Sequence, residues 1–350
     1  MNSYILCATQ TTNLGDLVIN KMLIDELCHQ GKVFVDAYGL ADDFRKYLFE
    51  NENAIDVYGK YHFSLKKFNL LPFIRLVKNE NIKVYTHSPG PLYNLGNLKR
   101  FAFDIIQTLV KSIGAKVLNI GNCASAAILQ KRVIKDNTVE HFYLRSLSSV
   151  EYVEKFYPRK VSYIPDLAFL LKYRVESVAK EKNVAFNFRP IAQDLNILKQ
   201  KCIKIINDFI NEGYKVILYY QVKGDEEFVK NLYAEFNTPA VAFRKEIVWY
   251  DDLDFYNDKA FVISNRLHSL LVGAVYGAIP IVFSNSEESC AKIRHVFETV
   301  FKDYSDCFVN DYDQEIDVLS YIENQSKYSS IVNEIVLRQA NECRLTIENI

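Results

Sequence analysis

Residues 260–283 have the sequence AFVISNRLHSLLVGAVYGAIPIVF. The segments 260–263 and 278–283 are short, apolar and rich in β-branched residues, which predicts two buried strands. Between them, residues 267–276 have the length and the small, apolar residues of a buried helix, and Gly277 follows directly. A strand, a helix and a second strand in this order predict a βαβ unit in a parallel sheet.

The same alternation extends through most of the chain and predicts the α/β class. The first half contains predicted strands at 4–9, 33–37, 82–86, 115–120, 140–144 and 161–164, with a helix at 17–30. After a charged segment at 172–182, the pattern restarts with strands at 183–188 and 214–220 and helices at 195–211, 226–236 and 287–301. We therefore predict two similar domains, 1–175 and 183–312, with a cleft between them for two substrates, and a helical tail at 313–350.

The composition is that of a globular protein. The chain has 350 residues, 49% of them hydrophobic, and 42 Lys and Arg against 43 Asp and Glu, which is too apolar for disorder. A formal net charge of -1 gives no electrostatic reason to expect a nucleic acid as partner. The seven cysteines are scattered and never form a CxxC pair, which favours reduced core thiols over disulfides or a zinc site.

No segment is typical of a membrane span or of a targeting signal. The longest apolar stretch, 270–283, is interrupted by Gly273, Gly277 and Pro280 and is shorter than the roughly 20 residues of a spanning helix. The first residues lead directly into a predicted strand, without a basic region or a cleavage pattern. We expect a cytoplasmic protein, and any contact with the inner face of the membrane would be peripheral.

Arg266 and His268 flank the start of the predicted helix at 267–276. A fixed cation, a titratable imidazole and the free N–H groups of a helix start together suit an anionic substrate. The alternative is that His268 caps or packs against the helix without any role in chemistry.

Three loops after predicted strands of the first domain are further candidates. In the turn at 11–16, Gly15 would permit close backbone approach, although Asn13 or Asp16 could simply cap the next helix. The loops beginning at His87 and Gly121 occupy equivalent places, and both could be plain tight turns. Because the carboxyl ends of parallel strands meet at one edge, we expect these loops to converge on one crevice.

Arg145 and Arg189 each follow a predicted strand and could reach a cleft. For either arginine alone, a surface salt bridge is the simpler interpretation, and the same holds for Lys292.

Several segments together resemble the polysaccharide pyruvyl transferase family. The matching segments occur in the family's order along the chain: Asn13-Leu14-Gly15-Asp16, Leu144-Arg145-Ser146-Leu147-Ser148-Ser149, Ile164-Pro165-Asp166-Leu167-Ala168-Phe169, Ile263-Ser264-Asn265-Arg266-Leu267-His268-Ser269, Gly277-Ala278-Ile279-Pro280 and Lys292-Ile293. The Arg-Leu-His block is the specific one. The resemblance implies a fold like that of GT-B glycosyltransferases, with two Rossmann-like domains facing a cleft.

The resemblance also implies a reaction. Phosphoenolpyruvate would be the donor substrate, without a cofactor or a metal, and two hydroxyls of one sugar would become a pyruvate ketal as phosphate is released. The acceptor would be a capsule or exopolysaccharide glycan, or its lipid-linked precursor. His268 would be the general acid/base and Asp16 would orient or deprotonate a hydroxyl. The other implied residues are Arg266, Arg189, Leu267, Ser269 and Lys292 for the donor, and Asn13, Gly15, His87, Ser88 and Arg145 for the acceptor.

Two alternatives stay open at the level of sequence. A glycosyltransferase of the same architecture could use Arg and Lys to hold the diphosphate of a nucleotide sugar. A protein that binds or assembles glycans without catalysis would also fit the pattern.

Overall fold

The computed structural model describes residues 1–91, 97–123, 138–156, 160–175, 178–190, 195–284, 288–312 and 314–350. The chain forms two compact units. Unit 1 comprises Met1–Thr11, Asp16–Leu167 and Glu342–Ile350, and unit 2 comprises Thr12–Gly15 and Ala168–Asn341. Four residues near the N-terminus therefore belong to the unit formed by the second half of the chain.

Unit 1 is built on a parallel sheet. Its strands are β1 (Asn2–Leu6), β2 (Val33–Asp36), β3 (Ala54–Asp56), β4 (Ile82–His87), β5 (Gly90–Pro91), β6 (Lys116–Cys123), β7 (His141–Leu144) and β8 (Val161–Tyr163). Its order is β3-β2-β1-β4-β6-β7-β8, with β5 beside β6 and every pair parallel. The helices are α1 (Leu14–Cys28), α2 (Asp42–Leu48), α3 (Val57–Tyr61), α4 (Leu70–Asn79), α5 (Asn97–Ser112) and α6 (Leu147–Glu154), with a 3₁₀ turn at Leu65–Lys67.

Unit 2 is built on a second parallel sheet. Its strands are β9 (Asn183–Asn187), β10 (Lys215–Leu218), β11 (Val241–Phe243), β12 (Lys259–Ser264), β13 (Ile279–Ser284) and β14 (Val309–Asp311). The order β11-β10-β9-β12-β13-β14 is the doubly wound Rossmann order. The helices are α7 (Leu195–Asn211), α8 (Glu226–Tyr233), α9 (Leu267–Val275), α10 (Glu288–Val300), α11 (Ser305–Phe308), α12 (Val318–Glu323) and α13 (Gln325–Glu348). The 3₁₀ segments are Leu167–Arg174, Lys223–Asp225, Tyr250–Tyr256 and Lys302–Tyr304.

Each unit has its own core, because its central strands are covered on both faces. In unit 1, β1 contributes Tyr4, whose ring lies 4.9 Å from that of Phe73 and 5.8 Å from that of Tyr85. In unit 2, every residue of α9 is buried, and an added Cβ at Gly273 would lie 2.5 Å from Val262 of β12. The glycine therefore allows α9 to lie directly on its sheet.

The fold class predicted from the sequence is confirmed: the chain forms two parallel α/β units followed by helices at its C-terminal end. The change from unit 1 to unit 2 falls at Leu167/Ala168, earlier than the predicted boundary at 175–183. The residues of α13 up to Asn341 belong to unit 2, and Glu342–Ile350 return to unit 1. Four strands, β3, β5, β11 and β14, have only two or three residues each and are too short to show a period in the sequence.

Two further sequence predictions concern cysteines and membrane spans. Among the side chains that the structure describes, six cysteines are free of disulfides; Cys307 is partly exposed, and the other five are buried, namely Cys7, Cys28, Cys123, Cys202 and Cys343. Within the described ranges, the helices are all too short or too polar to cross a lipid bilayer.

Candidate functional site

The two arginines predicted to hold the donor lie where the strand order of unit 2 reverses, between β9 and β12. β9 ends at Asn187, just before Arg189, and β12 ends at Ser264, just before Arg266. In open parallel sheets, ligands bind at the carboxyl ends of the strands on either side of such a reversal. Arg189 and Arg266 therefore flank the position at which this kind of sheet binds ligands.

Arg266 is held in place by a buried carboxylate. Its Nε donates to Asp225 Oδ2 at 2.9 Å and its Nη2 donates to Asp225 Oδ1 at 2.5 Å. Asp225 is 1% exposed, and burial raises its pKa, although the hydrogen bonds from Arg266 and the charges of Arg266 and Arg189 act in the opposite direction. Since Asp225 occupies the Nε side, the fork formed by Nη1 and the second Nη2 hydrogen can still bind an oxyanion with two hydrogen bonds.

Asn265 fixes the backbone of Arg189. The Arg189 N–H donates to Asn265 Oδ1 at 2.7 Å, and Asn265 Nδ2 donates to the Arg189 carbonyl at 3.0 Å and to the Tyr312 hydroxyl at 2.8 Å. The Arg189 side chain itself is exposed. Asn265 therefore connects the loop after β12, which carries Arg266, to the loop after β9, which carries Arg189. The Arg189 side chain remains exposed to solvent.

His268 packs against the turn at 12–15. An added Cβ at Gly15 would lie 2.0 Å from His268 Nδ1, so only a glycine leaves room for the imidazole in this position. The Gly15 N–H donates to Asn13 Oδ1 at 3.0 Å, and Asn13 also forms an antiparallel bridge with Val222. The sequence placed Asn13 and Gly15 in the N-terminal domain, but the structure places both in unit 2.

A buried polar network lies beneath the start of α9. Ser269 Oγ donates to Gln221 Oε1 at 2.8 Å, and Gln221 Nε2 donates to the Tyr256 hydroxyl, which in turn donates to Tyr219 at 2.9 Å. Ser269 and Leu267, both predicted to contact the donor, are buried. Because the groups in this network are hydrogen-bonded, it holds the first turn of α9 in one position.

In unit 1, three of the predicted acceptor residues lie around the loops that follow β1 and β4. Asp16 is buried, and its Oδ2 accepts from Thr9 Oγ1 at 2.9 Å and from the Gln10 N–H at 3.2 Å. Ser88 Oγ accepts from the Ala8 N–H at 2.9 Å, and the His87 ring lies 3.4 Å from the Gln107 amide. These residues flank the point at which the strand order of unit 1 reverses, between β1 and β4.

Arg145 lies in the core of unit 1, and the expected surface salt bridge is wrong. Its Nη1 donates to Asp166 Oδ2 at 2.7 Å, its Nη2 lies 3.4 Å from Cys123 Sγ, and both charged residues are fully buried. Asp166 belongs to the Pro-Asp segment that carries part of the family resemblance. Removing one partner of such a pair would leave an uncompensated buried charge, so we expect the pair to maintain the fold.

Lys292 lies within α10, but its side chain is outside the part of the chain that the structure describes. The Gly121 loop is described only as far as Cys123, so its later residues 124–126 are outside it as well.

Sequence reasoning missed Asp225, Gln221 and Asn265. The first two follow β10, the strand next to β9, and so have the same signal as Arg189: a polar side chain just after a buried strand. Asn265 directly precedes the Arg-Leu-His block, where the charge of its neighbour Arg266 is the stronger signal.

Comparisons with known structures show the type of fold. UDP-GlcNAc 2-epimerase from Neisseria meningitidis superimposes with a TM-score of 0.63 at 10% identity, covering 99% of both chains. The 2-epimerase from Methanocaldococcus jannaschii gives 0.58 at 9% identity over 98% of this chain and 94% of that chain. A glycosyltransferase from Rickettsia africae gives 0.58 at 11% identity, over 99% and 96% of the two chains. At these identities the likeness shows a GT-B-like fold and nothing more.

Comparisons of sequence show the family. No curated protein matches the chain. The model of the family described as polysaccharide pyruvyl transferase matches residues 13–287, from the Asn13 turn through β13. This range covers most of the chain and includes both the Gly15 turn and the Arg266–His268 block that it contacts. The chain therefore belongs to the polysaccharide pyruvyl transferase family.

Proposed function

We propose that this protein transfers a pyruvyl group from phosphoenolpyruvate to two hydroxyls of one sugar, forming a pyruvate ketal on a cell-surface polysaccharide or its lipid-linked precursor. The observation that carries the proposal is the pairing of Arg266 with Asp225 beside His268, at the start of a buried helix. An arginine fork, an imidazole and a helix N-terminus are the groups that a carboxylate and a phosphate require.

In the proposed reaction, different residues bind the oxyanions of phosphoenolpyruvate and protonate its methylene carbon. The Nη1–Nη2 fork of Arg266, with Arg189, would bind oxyanions of phosphoenolpyruvate, and Lys292 would help to hold the departing phosphate. His268 would deliver a proton to the methylene carbon as a sugar oxygen attacks the adjacent carbon. The second hydroxyl oxygen then replaces phosphate. Of the two hydroxyl protons released, one balances the proton given to the methyl group and the other leaves with phosphate.

The Asp225 contact supports this assignment of Arg266. A guanidinium that is already fixed along one edge loses little conformational freedom when its other edge binds an anion. The entropic cost of binding is therefore smaller than for a mobile arginine. Asp225 also offsets the charge of Arg266 in the free protein. An incoming anion therefore depends on Arg189 and the α9 N-terminus for additional positive potential.

For the acceptor, we propose His87 and Ser88 as contacts and Asp16 as the group that orients or deprotonates a hydroxyl. The family supports a glycan acceptor. We propose that the reaction takes place in the cytoplasm, because the scattered cysteines without a CxxC pair favour reduced thiols.

The experiment that tests the donor is thermal unfolding with added phosphoenolpyruvate or uridine diphosphate. A ligand that binds the folded state raises the melting temperature by mass action, so phosphoenolpyruvate should raise it and uridine diphosphate should not. Arg266→Lys keeps the charge but loses the fork, and should reduce the shift strongly. Arg244→Lys is the matched control, because Arg244 pairs with Asp252 at 2.9 Å in the same unit.

The outcomes separate the candidate functions. A shift with uridine diphosphate and none with phosphoenolpyruvate would contradict pyruvyl transfer and support glycosyl transfer instead. An equal shift in wild type and Arg266→Lys would show that the donor does not use the fork. Repeating the measurement with a candidate glycan covers an enzyme that binds its acceptor first, and release of phosphate in that mixture measures the reaction itself.

A further inference from the structure

One segment of unit 1 has a strongly unbalanced charge. Residues 57–79 contain Lys60, Lys66, Lys67, Arg75 and Lys78 and not one Asp or Glu, although the whole chain is nearly neutral. The segment covers α3, the 3₁₀ turn at Leu65–Lys67 and α4. A cluster of cations on an otherwise balanced protein provides an electrostatic footprint for a polyanionic partner.

The outer face of α4 carries part of this charge together with exposed apolar surface. Leu71, Arg75 and Lys78 are spaced i, i+4 and i+7, so they lie on one face of the helix and are exposed. The opposite face, with Phe73, Leu76 and Val77, is buried in the core. Leu71 is 70% exposed, and in the described part of the chain neither Arg75 nor Lys78 forms an ion pair.

Phe68 lies two residues before the start of α4 and is a second large, exposed apolar side chain in this segment. Its φ of 58° lies in the left-handed region, which is unfavourable for a bulky residue, and its side chain is 58% exposed. The free energy gained by burying this phenylalanine is therefore small, although its backbone conformation is strained. Lys67 beside it is exposed and has its amine 4.1 Å from the centre of the Tyr38 ring.

We propose that Lys67, Phe68, Leu71, Arg75 and Lys78, the outer α4 face, bind the surface of an anionic lipid bilayer. The observation that selects a bilayer over a soluble polyanion is the position of two large, exposed apolar side chains among three cations. An interfacial site inserts apolar groups among the acyl chains while its cations contact the anionic headgroups. A soluble polyanion would use the cations alone.

The test is sedimentation of the full chain with vesicles. Wild type should bind vesicles in which roughly one third of the lipid is phosphatidylglycerol and the rest is phosphatidylcholine. It should bind vesicles of phosphatidylcholine alone much more weakly, and added salt should release it from the anionic vesicles. Exchange of the apolar pair, Phe68→Ser with Leu71→Ser, should weaken binding roughly tenfold or more. Charge reversal, Arg75→Glu with Lys78→Glu, should weaken it roughly fivefold or more for each residue.

A matched control uses apolar residues of similar exposure in unit 2. Ile197 is 52% exposed and Leu337 is 49% exposed, and the pair Ile197→Ser with Leu337→Ser should bind vesicles as wild type does. All of the exchanged side chains are exposed, so the melting temperatures should stay close to that of wild type.

Two results would overturn the proposal. The first is wild type that does not sediment with the anionic vesicles. The second is vesicle binding that is lost on charge reversal and unchanged in the Phe68/Leu71 variant, because the apolar pair would then not insert and nothing would distinguish a bilayer from a soluble polyanion. The measurement requires no donor or acceptor, so its outcome is independent of the proposed pyruvyl transfer.

Discussion

Gly15 is the residue of the turn at 12–15 that packs against the imidazole of His268. Replacing it with alanine would put a Cβ 2.0 Å from His268 Nδ1, and the imidazole would have to move. The backbone of Gly15 is not in the left-handed region, so the turn itself can accommodate alanine. The added Cβ would also lie 2.7 Å from His268 Cβ, so the turn or the start of α9 must shift together with the ring.

On the proposed role of His268, we expect Gly15→Ala to lower turnover roughly a hundredfold, because displacing a reacting group by about 1 Å has a cost of that order. Phosphate release in the presence of donor and glycan would measure it, and a melting curve would confirm that the variant is folded. Gly224→Ala is the matched control, because an added Cβ there meets nothing within 4 Å. Turnover of Gly15→Ala equal to that of the control would show that the position of His268 does not limit the reaction.

At the scale of elements, the helix that carries His268 is held at both ends. The buried network around Gln221 holds its first turn, and at its C-terminal end Lys180 Nζ donates to the carbonyls of Tyr276 and Asn257. Burial lowers the pKa of Lys180 to about 8, and the nearby charge of Asp258 offsets only part of this effect. The lysine thus titrates while it is hydrogen-bonded to the end of α9.

This pKa makes stability depend on pH in a defined window. The ordinary pKa of a lysine is near 10.5, so between about pH 8 and 10.5 the unfolded chain binds a proton that the folded chain has released. The contribution of Lys180 to the free energy of unfolding therefore rises with pH across that window, by up to about 1.4 kcal/mol per pH unit.

Urea unfolding of wild type and Lys180→Met from pH 7 to 9.5 would measure the effect. The difference in unfolding free energy between wild type and variant should increase in favour of wild type above pH 8. Lys182→Met is the matched control, because Lys182 is exposed and lies two residues away. A constant difference across the range would contradict the lowered pKa.

The elements that could be predicted from the sequence are those whose burial imposes a pattern. Helix α7 was predicted with the bounds that it has, Leu195–Asn211, because its buried residues Leu198, Cys202, Ile205, Ile206 and Phe209 recur at the helical period. β14, in contrast, has three residues and only intermediate burial, so neither its length nor its pattern distinguishes it from a loop.

On the scale of the molecule, the sequence predicted two α/β units but could not predict which unit each short segment joins. Thr12–Gly15 lies between β1 and the body of α1 in the chain, and proximity in sequence assigned it to the first unit. Its actual partners, Val222 and His268, are more than two hundred residues away in the sequence. Only tertiary contacts determine such an assignment, and a single sequence does not contain them.

This assignment leads to a prediction about the donor, which rests on the proposed function. Hydrogen exchange measured with and without phosphoenolpyruvate should show protection at 12–15, at 188 and 189 and at 264–268, because bound ligands suppress local opening of the backbone around them. These segments are far apart in the chain but belong to unit 2. The strands β2 and β3 of unit 1 serve as the internal control and should exchange as before.

Protection at 264–268 without protection at 12–15 would leave the donor site in place but would show that the turn at Asn13 and Gly15 does not take part in binding. Protection confined to unit 1 would place the donor at the other sheet and contradict the roles of Arg266 and His268.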